Sequence, residues 1–95
     1  MAAATIGWSS YYKTGKRTAN GERFNPLGFT CAHRKLPFGT WLKVTNLRNK
    51  RFVYVRVNDR GPFIKNRVLD LSLGAARELG MAGRGLARIS FEIWN

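Results

Sequence analysis

The sequence is most regular at Trp41-Leu42-Lys43-Val44-Thr45-Asn46-Leu47 and again at Phe52-Val53-Tyr54-Val55-Arg56-Val57. In both stretches apolar and polar side chains alternate, which is typical of a β-strand with one buried face. The residues between them, Arg48-Asn49-Lys50, favour a tight polar loop. The middle of the chain is therefore predicted to form a β-hairpin.

Further strand patterns lie on both sides of this hairpin. The stretch from Leu86 to Ile93 alternates from Ala87 onward, and shorter candidates are Trp8–Tyr12, Phe29–Ala32 and Val68–Leu71. One helix is predicted, with Ser72 as its N-cap, an apolar face formed by Leu73, Ala76 and Leu79, and Gly80 as the terminating residue. Many short strands with one short helix predict a mainly β fold, a small β-barrel.

Composition limits the classes of protein that need to be considered. The chain has 95 residues, with 17 Lys and Arg against 5 Asp and Glu, and a formal net charge of +12. This is the size of one domain, and no apolar run approaches the roughly 20 residues of a membrane-spanning helix. The single Cys31 cannot form an intramolecular disulfide, nor a zinc site with the single His33, so no metal or cofactor is expected. The positive net charge predicts attraction to a polyanion, which could be nucleic acid, anionic lipid or an acidic wall polymer. Each single Lys or Arg is expected to be a solvated surface residue.

Asp59 is the carboxylate most suggestive of chemistry. It lies in Asn58-Asp59-Arg60-Gly61-Pro62, which directly follows an apolar strand and has the composition of a turn. Two roles are open from spacing alone. Asp59 either caps the turn, with Arg60 as its salt partner, or serves as a catalytic group on a loop held by a rigid scaffold.

The remaining ionisable candidates are weaker. Asp70 lies in an apolar strand just before Ser72, where it either bonds the helix N-terminus or has the raised pKa of a general acid. Glu22, Glu78 and Glu92 have the surroundings of surface charges. His33 is the only histidine, and a lone histidine is more often structural than catalytic.

Several short sequence motifs occur in a fixed order, and together they point to a protein family far more specifically than any one of them does. They are Thr18-Ala19-Asn20-Gly21-Glu22-Arg23-Phe24-Asn25-Pro26, Ala32-His33-Arg34-Lys35-Leu36-Pro37-Phe38-Gly39-Thr40, Val44-Thr45-Asn46-Leu47, Val57-Asn58-Asp59-Arg60-Gly61-Pro62-Phe63, Leu69-Asp70-Leu71-Ser72 and Ala75-Ala76-Arg77-Glu78-Leu79-Gly80-Met81. With these strings the chain resembles the rare lipoprotein A (RlpA-like) family. The resemblance implies a closed six-stranded double-psi β-barrel with one short helix, of the kind found in barwin and expansins. The barrel is expected over residues 7–95, with residues 1–6 as a disordered N-terminus or an added remnant.

The resemblance also implies an activity. The family's characterised activity is that of a septal lytic transglycosylase, which cleaves peptidoglycan glycan strands between N-acetylmuramic acid and N-acetylglucosamine and leaves anhydromuramic ends, with a preference for strands stripped of stem peptides. By carry-over Asp59 is the leading catalytic residue, with Glu22 and His33 also implicated, and Asp70 is the alternative acid because barwin-like cellulases and expansins use the corresponding aspartate. Asn58, Arg60 and Tyr12 are expected to contact the substrate.

The expected partners follow from the same resemblance. They are peptidoglycan glycan strands and divisome proteins, with no specific nucleic acid, and the chain is expected to be a monomer located in the bacterial cell envelope. Full-length members usually carry a lipoprotein signal and often a further peptidoglycan-binding domain, so these residues are expected to represent the barrel alone. Two other functions stay open, a non-catalytic barrel that binds wall polysaccharide and, on charge and aromatic content, a barrel that binds nucleic acid.

Overall fold

Six strands and one helix make up the domain in a computed structural model, which describes residues 4–12, 14–15, 17–81 and 83–94. In chain order these elements are β1 (Thr5–Tyr12), β2 (Thr30–Ala32), β3 (Trp41–Asn46), β4 (Phe52–Asp59), β5 (Arg67–Ser72), α1 (Leu73–Glu78) and β6 (Ala87–Ile93). All of the strands predicted from the sequence are present. The helix α1, at six residues, is the longest in the described part of the chain, where no helix has the length and apolarity to cross a membrane.

The strands close into a barrel in the order β1-β5-β2-β4-β3-β6, and β6 returns to β1. Strand β1 runs parallel to β5 and β2 runs parallel to β4, whereas all the other neighbours are antiparallel. Closure leaves no edge strand with unpaired backbone groups. The closed six-stranded barrel expected from the sequence is therefore confirmed.

The alternating residues of the central hairpin fill the barrel as their pattern predicts. Leu42 and Val44 of β3 and Val53, Val55 and Val57 of β4 are buried. They pack with residues of β2, β5, β6 and the helix, namely Cys31, Leu69, Leu71, Ala75, Ala76, Leu79, Met81, Ile89 and Phe91. This single core fixes the barrel on which the loops are mounted.

The ends of two strands differ from the sequence prediction. Strand β4 continues through Asn58 and Asp59, which were expected to form a turn, because Ala32 of β2 pairs with Asp59 after a shift of register. Strand β1 begins at Thr5 rather than at Trp8, because Thr5 pairs with Phe91 of β6. Residues 1–3 lie outside the described part of the chain.

Helix α1 has the predicted ends. The hydroxyl of Ser72 accepts a hydrogen bond from the backbone N–H of Ala75, and Gly80 adopts a φ of 71° just beyond the last turn. A positive φ at this position is the usual way for a glycine to terminate a helix. Among the described residues this N-terminus is capped by Ser72, whereas the hydrogen bond of the Asp70 carboxylate is to Ser10 of β1 and not to the helix, which was one of its two predicted roles.

Candidate active site

The end of strand β4 and the loop of residues 17–25 lie against each other, and together they bring the predicted carboxylates to one end of the barrel. The backbone N–H of Asn20 donates to the carbonyl of Asn58, and the N–H of Ala19 donates to the carboxylate of Asp59. The loop itself is closed by a bond from the Thr18 N–H to the Glu22 carbonyl. Glu22 therefore lies beside the last residues of β4.

Glu22 is held by a planar clamp. The two terminal nitrogens of Arg56 donate to the two oxygens of Glu22 at 2.9 Å each, and Nδ2 of Asn58 donates to Oε1 at 2.9 Å. These hydrogen bonds, first those of Arg56 and then that of Asn58, lower the pKa of Glu22 from 4.5 to about 2. Glu22 is thus a carboxylate at neutral pH, and it is a partly exposed charge held in place by the barrel rather than a free one.

Asp59 lies next to this clamp but has different partners. Its Oδ1 accepts hydrogen bonds from the N–H of Ala19 and from the N–H of Arg60, both at 2.9 Å. Within the described residues neither bond involves Oδ2, and no cation forms an ion pair with Asp59. The turn-capping role and the catalytic role are therefore compatible, because the backbone bonds occupy one oxygen and do not involve the other.

Asp70 faces a neighbouring strand of the same barrel. The hydroxyl of Ser10 in β1 donates to its Oδ1, and Asp70 lies opposite Ala32 of β2. It is half-buried and contacts neither Glu22 nor Asp59 through a hydrogen bond in the described part of the chain. Its local geometry is that of a strand residue with a hydroxyl partner.

Tyr12 lies close enough to both Asp59 and Asp70 to be affected by their charges. Its ring stacks on Phe24, with ring centroids 4.7 Å apart. The pKa of Tyr12 is raised, first by burial and then by the charges of Asp59, Cys31 and Asp70. Its hydroxyl is buried and has no hydrogen-bond partner within the described residues. A neutral phenol therefore lies near both aspartates, with one ring face already covered.

His33 is joined to Asp59 through the backbone rather than through its ring. Its N–H donates to the carbonyl of Asp59 at 3.2 Å, while its Nδ1 accepts from the N–H groups of Lys35 and Leu36 at 3.0 Å. Burial, together with the charges of Arg60 and Arg34, lowers the pKa of His33. The imidazole is neutral at pH 7, with Nδ1 as an acceptor and Nε2 carrying the proton.

The expected substrate-contacting residues Asn58 and Arg60 are engaged with the protein. Asn58 is buried and directs its amide nitrogen at Glu22, while its Oδ1 is a buried oxygen without a partner in the described region. Arg60 donates to the carbonyls of His33 and Leu36 and lies over the ring of Phe38 at 3.9 Å. The guanidinium of Arg60 therefore stabilises the loop after His33 by hydrogen bonds. Within the described residues it forms no ion pair with Asp59.

A cleft of about 360 Å³ opens beside Glu22. Its walls include the exposed rings of Phe29 and Trp41 and the side chain of Arg56. The sequence analysis did not single out Arg56 as a site residue because it is one of many cations. Its position on the polar side of a strand, opposite Trp41 in the hairpin, is a signal that could have indicated it. The cleft offers the fixed carboxylate of Glu22 and flat aromatic surface.

Comparison with known proteins identifies the family to which the chain is similar. A family model described as lytic transglycolase matches residues 4–91. A probable endolytic peptidoglycan transglycosylase RlpA from Nostoc sp. is 62% identical over 79 residues, which cover 83% of this chain and 21% of that protein. The endolytic peptidoglycan transglycosylase RlpA of Campylobacter jejuni is 51% identical over 90 residues, 92% of this chain and 33% of that protein. The chain thus spans about a fifth to a third of the length of these relatives.

Solved structures define the class of fold. The Streptomyces papain inhibitor superposes with a TM-score of 0.81 at 21% identity, covering 98% of this chain and 96% of that one. The expansin of Clavibacter michiganensis superposes with a TM-score of 0.79 at 24% identity, covering 98% of this chain and 51% of that one. The domain is therefore a double-psi β-barrel of the barwin and expansin type. Within that class, the chain belongs to the RlpA-like lytic transglycosylase family.

Proposed function

We propose that this domain cleaves the glycan strands of peptidoglycan by lytic transglycosylation, with Asp59 as the single acid and base. Protonated Asp59 donates its proton to the glycosidic oxygen between N-acetylmuramic acid and N-acetylglucosamine as that bond breaks. The resulting carboxylate takes the proton of the muramic acid's own primary hydroxyl while this oxygen attacks the anomeric carbon. The product carries a 1,6-anhydromuramic end, and no water is consumed.

The state of Glu22 is the observation that carries this assignment. Because Arg56 and Asn58 hold the pKa of Glu22 at about 2, Glu22 cannot supply a proton near neutral pH. It can stabilise the positive charge that develops at the anomeric carbon. Asp59 is assigned the proton transfers because backbone N–H groups bond only its Oδ1 and no cation pairs with it among the described residues.

His33 completes the proposed site as a positioning residue. Its backbone N–H bonds the Asp59 carbonyl, and its neutral ring keeps Nε2–H as a donor for a sugar hydroxyl. Tyr12, Asn58 and Arg60 support the same region by packing and by hydrogen bonds. We also propose that the domain shares the family's preference for glycan strands without stem peptides. We place it in the bacterial cell envelope, where it acts as a monomer in daughter-cell separation together with divisome proteins.

Mass spectrometry of the products from purified sacculi tests this proposal. The chain is incubated with intact sacculi and with sacculi stripped of stem peptides by an amidase. Anhydromuramic ends released mainly from stripped sacculi are expected. Reducing ends would identify a hydrolase, which needs an activated water. Sedimentation with sacculi without soluble products would identify a wall-binding barrel, a reading favoured by a related expansin structure solved with cellohexaose.

Two isosteric variants test the acid. Asp59→Asn keeps an oxygen that accepts the bonds from Ala19 and Arg60, so the barrel should fold while cleavage falls by about 10²-fold or more. Asp70→Asn is the matched control, since it removes a carboxylate of the same barrel and keeps the acceptor for Ser10. Loss of cleavage in Asp70→Asn with activity kept in Asp59→Asn would exchange the two roles.

A further inference from the structure

A second cavity lies at the other end of strand β4 from Asp59. It has a volume of about 520 Å³ and lies between the β3–β4 turn, the segment after helix α1, and the start of β6. The eight residues of β4 separate the two regions by roughly 20–25 Å. The side chains that give it chemical character are Trp8, Arg48, Arg84, Leu86 and Arg88.

The backbone around this cavity is held in place by polar contacts. Nδ2 of Asn46 and Nδ2 of Asn49 both donate to the carbonyl of Leu79 at 2.9 Å, which ties the β3–β4 turn to the end of the helix. The N–H of Leu47 donates to the carbonyl of Arg88 at 3.1 Å, which ties the same turn to β6. These bonds fix the backbone that frames the cavity at the β3–β4 turn, the helix end and β6.

The charge around the cavity is unbalanced. Among the described residues, three arginines and no acidic side chain line it. Within the described residues the ion pair of the molecule is that of Glu22 with Arg56, so Arg48, Arg84 and Arg88 have no carboxylate partner there. Guanidinium groups in a concave surface focus a positive field, and their planar forks match carboxylate and phosphate oxygens. The electrostatics favour an anion.

Trp8 adds an apolar surface to this anion site. It lies directly opposite Arg88 in the β1–β6 ladder, so both side chains project from the same face of the sheet. Its indole is 41% exposed and Leu86 beside it is 39% exposed. The electron-rich face of an indole suits the C–H face of a pyranose ring.

We propose that this cavity binds an acidic saccharide, with a sugar ring against Trp8 and a carboxylate or phosphate group at the arginines. The proposal concerns a site remote from Asp59 and Glu22 and does not depend on their catalytic role. Carboxylated and phosphorylated sugars share the chemistry that the cavity recognises. Defined small probes can distinguish these two sources of the negative charge.

An NMR titration of the ¹⁵N-labelled chain at about 150 mM salt, where weak surface attraction is screened, tests the proposal. The probes are glucuronate, glucose 6-phosphate, inorganic phosphate and uncharged glucose. Saturable shifts of the Trp8 indole N–H and of the Arg84 and Arg88 amides are expected with at least one charged sugar. Inorganic phosphate should bind more weakly than that sugar, and glucose should produce no saturable shift. Equal affinity for glucose, or no saturation with either charged sugar, would overturn the proposal.

Charge-matched variants separate a site from general attraction to a cationic surface. Arg84→Gln combined with Arg88→Gln should weaken binding of the charged sugar by about tenfold or more. Lys65→Gln combined with Arg77→Gln removes the same charge elsewhere and should change the affinity less than about twofold. An equal loss in both double variants would refute a defined site. Arg84→Gln alone, on an exposed residue, gives the same comparison against Lys65→Gln if the first double variant fails to fold.

Discussion

Arg56 and Glu22 are 34 positions apart in sequence and form two parallel hydrogen bonds of 2.9 Å. Arg56 lies on the polar side of β4, whose other face fills the barrel core, and Glu22 lies in a loop that crosses the end of that strand. A rigid strand thereby fixes the position of a loop carboxylate. This pairing gives Glu22 a defined orientation and a defined charge.

Loss of the clamp should impair cleavage more than folding. In Arg56→Gln, Glu22 keeps the bond from Asn58 but loses both guanidinium bonds, so its orientation becomes loose. We expect release of glycan fragments to fall about tenfold or more. Arg51→Gln, which removes the same charge at the other end of β4, should retain activity. Equal activity of the two variants in the sacculus assay would contradict the proposed role of Glu22.

The pH dependence of stability should contain a contribution from Glu22. Its pKa is lowered from 4.5 to about 2 in the folded chain, so the folded state binds this proton less readily than the unfolded state. The stabilisation is therefore complete above about pH 4.5 and is lost as the pH falls towards 2. Thermal unfolding of the wild type and of Glu22→Gln should show a Tm difference that shrinks over this range. A constant difference would contradict the lowered pKa.

The ring of His33 should titrate below its ordinary pKa of 6.5, because burial and the neighbouring Arg60 and Arg34 disfavour its charged form. NMR of the imidazole across pH 4–8 measures this directly, and at neutral pH it should show the tautomer protonated at Nε2. Arg60→Gln should raise the midpoint, because it removes the neighbouring charge that most disfavours the protonated ring. A midpoint above 6.5 in the wild type would contradict the described surroundings.

Gly74 should not tolerate a side chain, although alanine is the better helix former. A Cβ at this position would lie 2.6 Å from the carbonyl oxygen of Leu27, whose backbone cannot easily move because the N–H of Gly74 bonds Pro26. Gly74→Ala should lower the free energy of unfolding by about 1–3 kcal/mol in chemical denaturation. Gly83→Ala, where a Cβ meets no atom within 4 Å, should change it by less than about 0.5 kcal/mol.

The thiol of Cys31 should be inert in the folded chain. It is fully buried in the barrel core, and burial together with the charge of Asp70 raises its pKa. Labelling with a thiol reagent at pH 8 should proceed only as fast as the barrel opens, and rapidly in denaturant. Fast labelling under native conditions would show that this part of the core opens readily.

Local patterns in the sequence were sufficient to predict most of the scaffold. Alternation in β3, β4 and β6 reflects the two faces of each strand, and the Ser72 cap and Gly80 mark the ends of the helix. These are effects between near neighbours, so they can be read without knowing the rest of the fold. The ordered motif strings added the family and, through it, the closed barrel.

The contacts of the candidate site were decided by the tertiary structure. Parallel pairing of β2 with β4 and of β1 with β5 joins segments far apart in the chain, and no local pattern specifies their register. In the closed barrel the Ala19 N–H bonds Asp59, the Ser10 hydroxyl bonds Asp70, and the Arg56 guanidinium bonds Glu22. The sequence by itself supplied the candidate residues, whereas barrel closure decided the hydrogen-bond partners of each carboxylate.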